Sequence, residues 1–363
     1  MILLNSMRYK KILLLNLIPD TIGDNILLTP LPRIIKFNFP NSRVDLTISE
    51  GNKELFLHNP YIDNLIMFSE LKDISKKKSK ISKITKYFLM ISHNISKLKK
   101  IKYDLGYILL PNFPLNVVLP KLAGIKQLIG FSYSGSILDF LLDKKITYRG
   151  IKETQDYERH FIESYFDLLR LTNLNWKKGD EVCELFLSLN ELKEAENLLK
   201  NYKLEKQNYV CFQSGSKHNS WPVSRFRELA EKIIKKTKLK IVLNGSKGEY
   251  ETNEKIAKIS DRIINLSGLS LREKAANFHY AKFSVCNDSG LAHMSSAVGV
   301  KTIVLFGPHS PKHCSPKGKG KVYEIYKYHN KFPYVIRGSK EGIERINEIS
   351  VNDVMKVINQ LID

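Results

Sequence analysis

Residues 283–308 read FSVCNDSGLAHMSSAVGVKTIVLFGP, and the fold is best approached from this stretch. The apolar run 283–286 ends at the polar turn 287–290, which predicts a strand followed by a tight loop. The small-residue segment after the turn predicts a short helix, which Gly299 can end in a left-handed cap. The β-branched run 301–306 predicts a second strand. Strand, helix and strand at this spacing predict a right-handed crossover between parallel strands.

The loops after these two strands predict a ligand site, because open α/β sheets bind ligands beyond the carboxyl ends of their strands. Asp288 or Ser289 can cap the helix, and Gly290 lets a ligand approach the backbone. The free N–H groups and the positive end of the helix favour an anion, most plausibly phosphate. His293, one turn inside the helix, can face the same pocket. Taken singly, Asp288 is equally well a plain helix cap, and His293 a satisfied, half-buried histidine.

The segment DSGLAHMSSAVGVKTIVLFGP at 288–308 resembles the C-terminal signature of glycosyltransferase family nine, the ADP-heptose:lipopolysaccharide heptosyltransferases. That signature combines Asp-Ser/Thr-Gly, a His three residues on, a small-residue helix and Leu-Phe-Gly-Pro. The resemblance covers roughly residues 8–316 and implies the GT-B fold. This is an α/β architecture of two Rossmann-like, doubly wound domains facing across a cleft, with the sugar donor on the C-terminal domain. The sugar-donor contacts that it implies here are Asp288, Ser289, Gly290, His293 and Gly307.

The N-terminal half has a candidate site of its own at Gly23 and Asp24, in a loop between the strand 11–17 and a helix over 25–39. Pro30 should kink that helix or make it restart near Thr29. The family opens in the same way, with a strand, a Gly-Asp loop and Leu-Leu-Thr-Pro. The resemblance therefore assigns Asp24 as the general base, and the alternative is that Asp24 caps the first long helix.

A second phosphate loop is predicted after the strand 208–213, where Ser214 and Gly215 begin a glycine-containing turn. Family members carry a lysine two residues before a Trp-Pro pair. In this chain Asn219 occupies the position of that lysine. The phosphate contact is therefore assigned to the nearest cation, Lys217. Beyond the next strand, Glu249 corresponds best to the family's ribose carboxylate. Its alternative role is that of a solvated glutamate at a helix start.

The chain has 363 residues and a formal net charge of +21, which implies an anionic partner. Between 70 and 102 there are eleven lysines and two acidic residues, interleaved with apolar side chains at helical spacing. This predicts a basic amphipathic helix, either packed on its own domain with solvated lysines or attracted to an anionic membrane. The lysines assigned to the acceptor or membrane are Lys97, Lys99 and Lys100. We do not expect nucleic acid as a partner, because no known nucleic-acid recognition motif accompanies the positive charge.

Three further features of the sequence limit the kinds of protein that this chain can be. No apolar run reaches the ~18 residues that span a bilayer, and the apolar opening lacks a cleavage site, so it indicates a first strand. The cysteines are scattered, which favours a reducing cytoplasm. A group formed by His309, His313 and Cys314 could bind metal, but it lacks a carboxylate or second cysteine at ligand spacing, so we expect no metal site.

The polar stretch 172–179 predicts a linker. We therefore expect an acceptor-binding domain at 1–172, a nucleotide-sugar-binding domain at 180–340, and a helix at 341–363 packing back on the first domain.

The expected function is that of an inverting, metal-independent glycosyltransferase that moves heptose from ADP-heptose to a lipopolysaccharide inner-core acceptor. It uses no cofactor, because the nucleotide-sugar is a substrate. Its expected partners are a phosphorylated glycolipid acceptor and the anionic surface of the inner membrane, with which a cytoplasmic protein would associate peripherally. The alternatives are a family member with another sugar donor or a different glycan acceptor, and a non-catalytic basic module that binds nucleotide or nucleic acid.

Overall fold

A computed structural model describes most of the chain in eight segments. These are residues 9–16, 21–68, 80–110, 114–132, 138–147, 159–215, 220–327 and 339–362, with the side chains at 80–88, 114 and 115 left out. The described residues fall into two compact units. The first takes in the described parts of Met1–Thr21, Leu28–Thr154 and Ile162–Glu181. The second takes in Ile22–Leu27, the described part of Gln155–Phe161, and the described part of Val182–Asp363.

The first unit is built on a parallel sheet of six strands. They are β1 (Lys11–Leu15), β2 (Arg43–Ile48), β3 (Asn64–Met67), β4 (Leu105–Ile108), β5 (Gln127–Ser132) and β6 (Lys144–Thr147). Their order is β3-β2-β1-β4-β5-β6, and every pairing is parallel. This is the 3-2-1-4-5-6 order of the dinucleotide-binding folds. The central strand β1 is a continuous apolar run, as expected for a strand covered on both faces.

The helices that accompany this sheet include a break that the sequence predicted at Pro30. The chain first forms α1 (Ile22–Ile26), which belongs to the second unit. The first unit then contains α2 (Pro30–Asn38), α3 (Lys80–Lys99), α4 (Pro114–Leu122) and α5 (Ile162–Arg170). The predicted restart near Thr29 is confirmed, because Thr29 is the N-cap residue of α2 and Pro30 its first residue. Proline fits there because that N–H would have no partner in the helix.

The second unit repeats the same sheet. Its strands are β7 (Tyr209–Gln213), β8 (Lys240–Asn244), β9 (Ile263–Asn265), β10 (Ser284–Asn287), β11 (Thr302–Leu305) and β12 (Val322–Ile325). The order β12-β11-β10-β7-β8-β9 is again 3-2-1-4-5-6 when β7 is counted as the first strand, and all pairings are parallel. The predicted α/β class with two Rossmann-like, doubly wound sheets is therefore confirmed.

Eight helices follow in the described part of the second half. They are α6 (Leu189–Asn201), α7 (Val223–Lys236), α8 (Tyr250–Ala257), α9 (Leu271–Tyr280), α10 (Gly290–Ala297), α11 (Pro311–Cys314), α12 (Lys340–Asn347) and α13 (Val351–Ile362). Capping boxes start α6 and α9, where Ser188 pairs with Glu191 and Ser270 with Glu273. Each box satisfies two orphan N–H groups at its helix start.

The C-terminal helix packs differently from the prediction that it would return to the first domain. The buried residues of α13 are Val351, Val354, Ile358 and Leu361, and all four lie in the apolar core of the second unit. Phe226, Leu229 and Ile233 of α7 belong to the same core. An apolar stripe at helical spacing shows that a helix is half-buried but does not identify its partner, so the expected packing was wrong.

Among the described residues, no helix combines the length and apolar character that a membrane crossing would require. None of the four cysteines, all of them among the described residues, forms a disulfide.

Candidate active site

The candidate site lies where the strand order of the second sheet reverses, at the carboxyl ends of β7 and β10. These two strands are neighbours, and each runs on into a loop that the sequence singled out. A ligand crevice forms at such a switch point because the following connections leave toward opposite faces of the sheet. The predicted loop residues therefore come together for a topological reason.

Asn287, the last residue of β10, joins the two loops. Its side chain is fully buried, its Oδ1 accepts the Trp221 N–H at 3.0 Å, and its Nδ2 donates to the carbonyl of Ser214 at 2.9 Å. An amide suits this place because one side chain both donates and accepts. Asn287 had no predicted role, although it lies next to Asp288 at the end of a strand.

The helix α10 begins at the same edge. Ser289 is its N-cap residue, but its hydroxyl donates to Gln213 Oε1 at 2.9 Å and makes no cap hydrogen bond. No acceptor among the described residues contacts the N–H groups of Gly290 and Leu291. The predicted anion site at this helix start therefore has its N–H donors available, together with the positive end of the helix dipole.

Two glycines bring α1 against the start of α10. A Cβ added to Gly290 would lie 2.6 Å from Ile22 Cβ, and one added to Gly23 would lie 3.1 Å from His293 Cδ2. The distance at Gly290 leaves no room for a side chain and the one at Gly23 is tight, so the two helices meet nearly backbone to backbone. His293 is 7% exposed beneath this contact. The Gly-Asp element, expected in the N-terminal domain, thus packs within the second unit.

Asp24 follows Gly23 and lies inside α1 rather than in a loop. Its side chain is exposed, and it is not the N-cap of α2, since Thr29 holds that position. The alternative role of Asp24, capping the first long helix, was therefore wrong. The predicted base is a solvent-accessible carboxylate on the short helix that contacts His293.

The start of the second predicted loop packs against Glu249. Its Oε2 accepts the Ser246 N–H at 2.6 Å, and a Cβ on Gly215 would lie 1.4 Å from its Oε1. The glycine at 215 is therefore what leaves room for the carboxylate at the ends of β7 and β8. Ser214 is buried, and its hydroxyl donates to Asn253, so its contribution at the surface of the loop is backbone. Lys217 and Asn219 lie outside the described residues.

Gly307, after β11, is buried against α12. A Cβ at this position would lie 2.8 Å from Ile346 Cβ and 3.3 Å from the Gly342 carbonyl oxygen. Packing alone therefore accounts for a glycine here, whether or not a ligand also approaches it.

Asp288 has two neighbours that spacing along the chain did not reveal. His309 Nδ1 lies 3.7 Å from Asp288 Oδ2, and Cys314 Sγ lies 3.9 Å from the same oxygen. The carboxylate that the sequence analysis missed beside His309 and Cys314 comes from the loop of the adjacent strand. His313, the third member of the predicted group, points elsewhere, with Nδ1 2.9 Å from the Arg159 carbonyl oxygen.

A buried histidine lies behind this loop. His160 Nε2 is 2.8 Å from the Ser315 carbonyl oxygen, and burial lowers the pKa of His160 to about 3. It is therefore neutral at physiological pH and acts as a hydrogen-bonded support.

The three lysines assigned to the acceptor or membrane lie at the end of α3 in the first unit. Lys97 is half-buried, and its ammonium group donates to the Met67 carbonyl at 2.8 Å, whereas Lys99 and Lys100 are exposed. Only the latter two present their charges fully to solvent. The lysine-rich residues 70–79 lie outside the described part of the chain.

Known proteins share both the sequence and the fold. A family model described as glycosyltransferase family 9 (heptosyltransferase) matches residues 92–332. The chain is 24% identical to lipooligosaccharide heptosyltransferase 2 of Haemophilus influenzae over 95% of its own length and 97% of that protein. A family 9 glycosyl transferase structure from Veillonella parvula aligns with a TM-score of 0.78 at 21% identity, covering 97% of each chain. The E. coli ADP-heptose lps heptosyltransferase II structure aligns at 0.71 and 21%, covering 97% of this chain and 98% of that one.

Proposed function

Because the chain belongs to glycosyltransferase family 9, the heptosyltransferase family, we propose that it transfers heptose from ADP-heptose to the inner core of lipopolysaccharide. Relatives of nearly the same length are named lipooligosaccharide or lipopolysaccharide heptosyltransferases, and one similar structure is titled an ADP-heptose lps heptosyltransferase, which supports the choice of sugar donor and acceptor. The reaction we propose inverts the anomeric centre. The acceptor oxygen attacks the anomeric carbon from the face opposite the diphosphate, the bond to the diphosphate oxygen breaks, and ADP leaves.

The contact between α1 and α10 is the observation that carries this proposal. Gly23 and Gly290 let these helices touch, so the exposed residue after Gly23, Asp24, lies on the helix that contacts His293 and the N-terminal end of α10. In this arrangement Asp24 would be the proton acceptor, and the N-terminal end of α10 would be the anion site. We assign Asp24 as the general base that takes the proton of the acceptor hydroxyl, a role that contributes typically 10²–10⁴-fold to rate.

We assign the sugar donor to the carboxyl ends of β7, β8 and β10. The N–H groups at the start of α10 would stabilise the departing diphosphate, because they are fixed in place before charge develops there. Glu249 would accept hydrogen bonds from the ribose through Oε1, since Oε2 is occupied by the Ser246 N–H. The remaining assigned contacts are Ser214, Gly215, Lys217, Asp288, Ser289, His293 and Gly307.

We propose that transfer needs neither a cofactor nor a metal ion, since the helix dipole and the basic side chains supply positive charge at the diphosphate. We assign acceptor binding to the first unit. There Lys99 and Lys100 are exposed and would attract the phosphorylated acceptor and the anionic cytoplasmic face of the inner membrane. Lys97 would contribute less, because its ammonium group already bonds the Met67 carbonyl.

A donor screen tests the proposal. The purified protein is mixed with equal amounts of several nucleotide-sugars and with lipopolysaccharide that lacks inner-core heptose, and the product is examined by mass spectrometry. We expect the mass of one added heptose, and its loss when ADP-heptose is omitted. Addition of a different sugar would replace this proposal with another donor specificity. Nucleotide binding without transfer from any sugar donor would favour a non-catalytic binding module.

A further inference from the structure

Asp288, His309 and Cys314 form a cluster of three different metal-ligating groups in the second unit. Their ligand atoms all lie within 4.8 Å of one another. Asp288 directly follows β10, His309 lies in the loop after β11, and Cys314 is the last residue of α11. The cluster thus draws on two adjacent strands and a helix, and the parallel sheet fixes their relative positions.

The spacing suits a tetrahedral metal ion. Zinc binds oxygen and nitrogen at about 2.0–2.2 Å and thiolate sulfur at about 2.3 Å, which places its ligand atoms roughly 3.3–3.7 Å apart. The His309–Asp288 separation of 3.7 Å is at the edge of that range, and the Cys314–Asp288 separation of 3.9 Å is just beyond it. The third pair, His309 and Cys314, lies within 4.8 Å, so side-chain movements of about 1 Å or less would bring all three ligand atoms into range.

The elements around the cluster are held by the protein itself. The Asp288 N–H donates to the Leu305 carbonyl at 3.1 Å, which ties this loop to β11. Ser310 caps α11, and the Ser315 N–H closes it by donating to the Pro311 carbonyl at 2.9 Å. The side chains of Asp288 and His309 are 9% and 13% exposed, so water competes little for them.

The chemistry of the three groups selects the ion. A carboxylate, an imidazole and a thiolate carry two negative charges together, which balance a divalent cation. Thiolate favours zinc over magnesium or calcium, which prefer oxygen ligands. Three protein ligands leave a fourth position open, unlike the closed, four-ligand structural zinc sites.

We propose that Asp288, His309 and Cys314 bind one Zn²⁺ ion, and that zinc and the sugar donor compete because both need Asp288. The competition rests on the proposed function, whereas zinc binding does not. Zinc would therefore be an inhibitor of the enzyme, in keeping with transfer that needs no metal.

Zinc binding is tested on the full-length protein after chelator treatment, by titration against a chromogenic zinc indicator without nucleotide. We expect one tight site per chain, and Co²⁺ in its place should give the near-ultraviolet absorption of a cobalt–thiolate bond. Cys314→Ser and His309→Gln should each weaken zinc binding at least about tenfold, and Cys314→Ser should abolish the absorption. His93→Gln, at an exposed histidine of α3, is the matched control and should bind zinc as wild type does.

The competition is tested by measuring ADP binding with and without one equivalent of zinc. Zinc should weaken ADP binding to wild type and leave Cys314→Ser unaffected. A wild-type protein without a stoichiometric zinc site, or variants that retain full zinc affinity, would overturn the metal site. Tight zinc binding without any effect on ADP would overturn the competition. Neither result depends on whether heptose transfer is observed.

Discussion

The two sheets of this protein have the same strand order, but the described residues around them carry different chemistry. In the second sheet, the loops after β7 and β10 meet through Asn287, and three glycines at 215, 245 and 290 let carboxylate and backbone groups approach closely. The first sheet contributes no comparable cluster among the residues that the structure describes, and its notable feature is the basic helix α3. Two units with the same fold can therefore differ in function, because the loops rather than the sheet determine the chemistry.

The helix α1 sharpens this contrast, because it follows a strand of the first sheet in sequence and yet packs in the second unit. The carboxylate that we assign as the base is thereby placed on the same unit as the anion site. Four predictions examine how far the difference between the two units extends, beginning with the largest expected effect.

Asp24→Asn should lower turnover at least about a hundredfold, since the amide cannot accept the proton of the acceptor hydroxyl. ADP affinity and melting temperature should barely change, because the Asp24 side chain is exposed. Turnover is measured at saturating sugar donor and acceptor. Asp261→Asn, also at an exposed position of the second unit, is the control and should remain fully active. A residual Asp24→Asn rate within tenfold of wild type would remove Asp24 from the mechanism.

Gly290→Ala should disturb the junction of α1 and α10. The new Cβ would lie 2.6 Å from Ile22 Cβ and 3.0 Å from the Gly23 amide nitrogen, so the helices must separate. Overpacking of this kind costs typically 1–3 kcal/mol, and here it would also displace Asp24. We expect a lower melting temperature and a turnover loss larger than the loss of ADP affinity.

The matched control for Gly290→Ala is Gly248→Ala, where the nearest atom to an added Cβ is Ser246 Oγ at 3.8 Å. This variant should fold and turn over like wild type. If Gly290→Ala also behaved like wild type, the close helix contact would not be needed for the site.

The success of sequence reasoning differed between the centre and the edges of the sheets. The central strands, such as β1, β7 and β10, are continuous buried runs, and their predicted positions agree with the structure within a few residues. The edge strands β3, β6 and β12 were missed. The residues of β6 alternate between half-buried and exposed, β3 is mostly half-buried, and in β12 only Ile325 is buried, so none of the three is a continuous buried run.

The candidate site was predictable in part for a related reason. Asp288, Ser289 and Gly290 form one contiguous signature after an apolar strand, so spacing along the chain was sufficient to find them. The approach of Glu249 to Gly215 and of Gly23 to His293 depends on how separate segments pack. The meeting of Asp288 with His309 and Cys314 has the same origin. Sequence periodicity contains no information about which loops meet, so these contacts required the structure.

Lys99→Gln combined with Lys100→Gln tests whether the first unit carries the membrane-facing charge. An exposed lysine near an anionic surface contributes about 1 kcal/mol, so the pair should lower affinity for anionic vesicles roughly 30-fold at low salt. ADP binding, which we place in the second unit, should not change. Vesicle sedimentation at two salt concentrations measures the effect. Lys121→Gln combined with Lys126→Gln, elsewhere in the first unit, is the charge-matched control. Equal binding of wild type to neutral and anionic vesicles would mean that these lysines are merely solvated.

The smallest expected effect concerns the ion pair that joins α6 to α9 in the second unit. Glu191 receives two bonds from Arg272, at 2.7 and 2.8 Å, and one from the Ser188 N–H at 2.7 Å. Burial on its own raises the pKa of Glu191, but these hydrogen bonds outweigh it and lower the pKa from 4.5 to about 2. A lowered pKa means that folding favours the carboxylate, so its contribution is complete above about pH 4.5 and is lost as the pH falls toward 2.

Glu191→Gln should therefore lower the melting temperature at neutral pH, and the deficit should shrink across that window and disappear near pH 2. Glu228→Gln removes the exposed partner of Lys232 and should have little effect at any pH, because surface pairs contribute little. A Glu191→Gln deficit that stayed constant from pH 7 to pH 2 would show that the side chain stabilises the helices by packing rather than by charge.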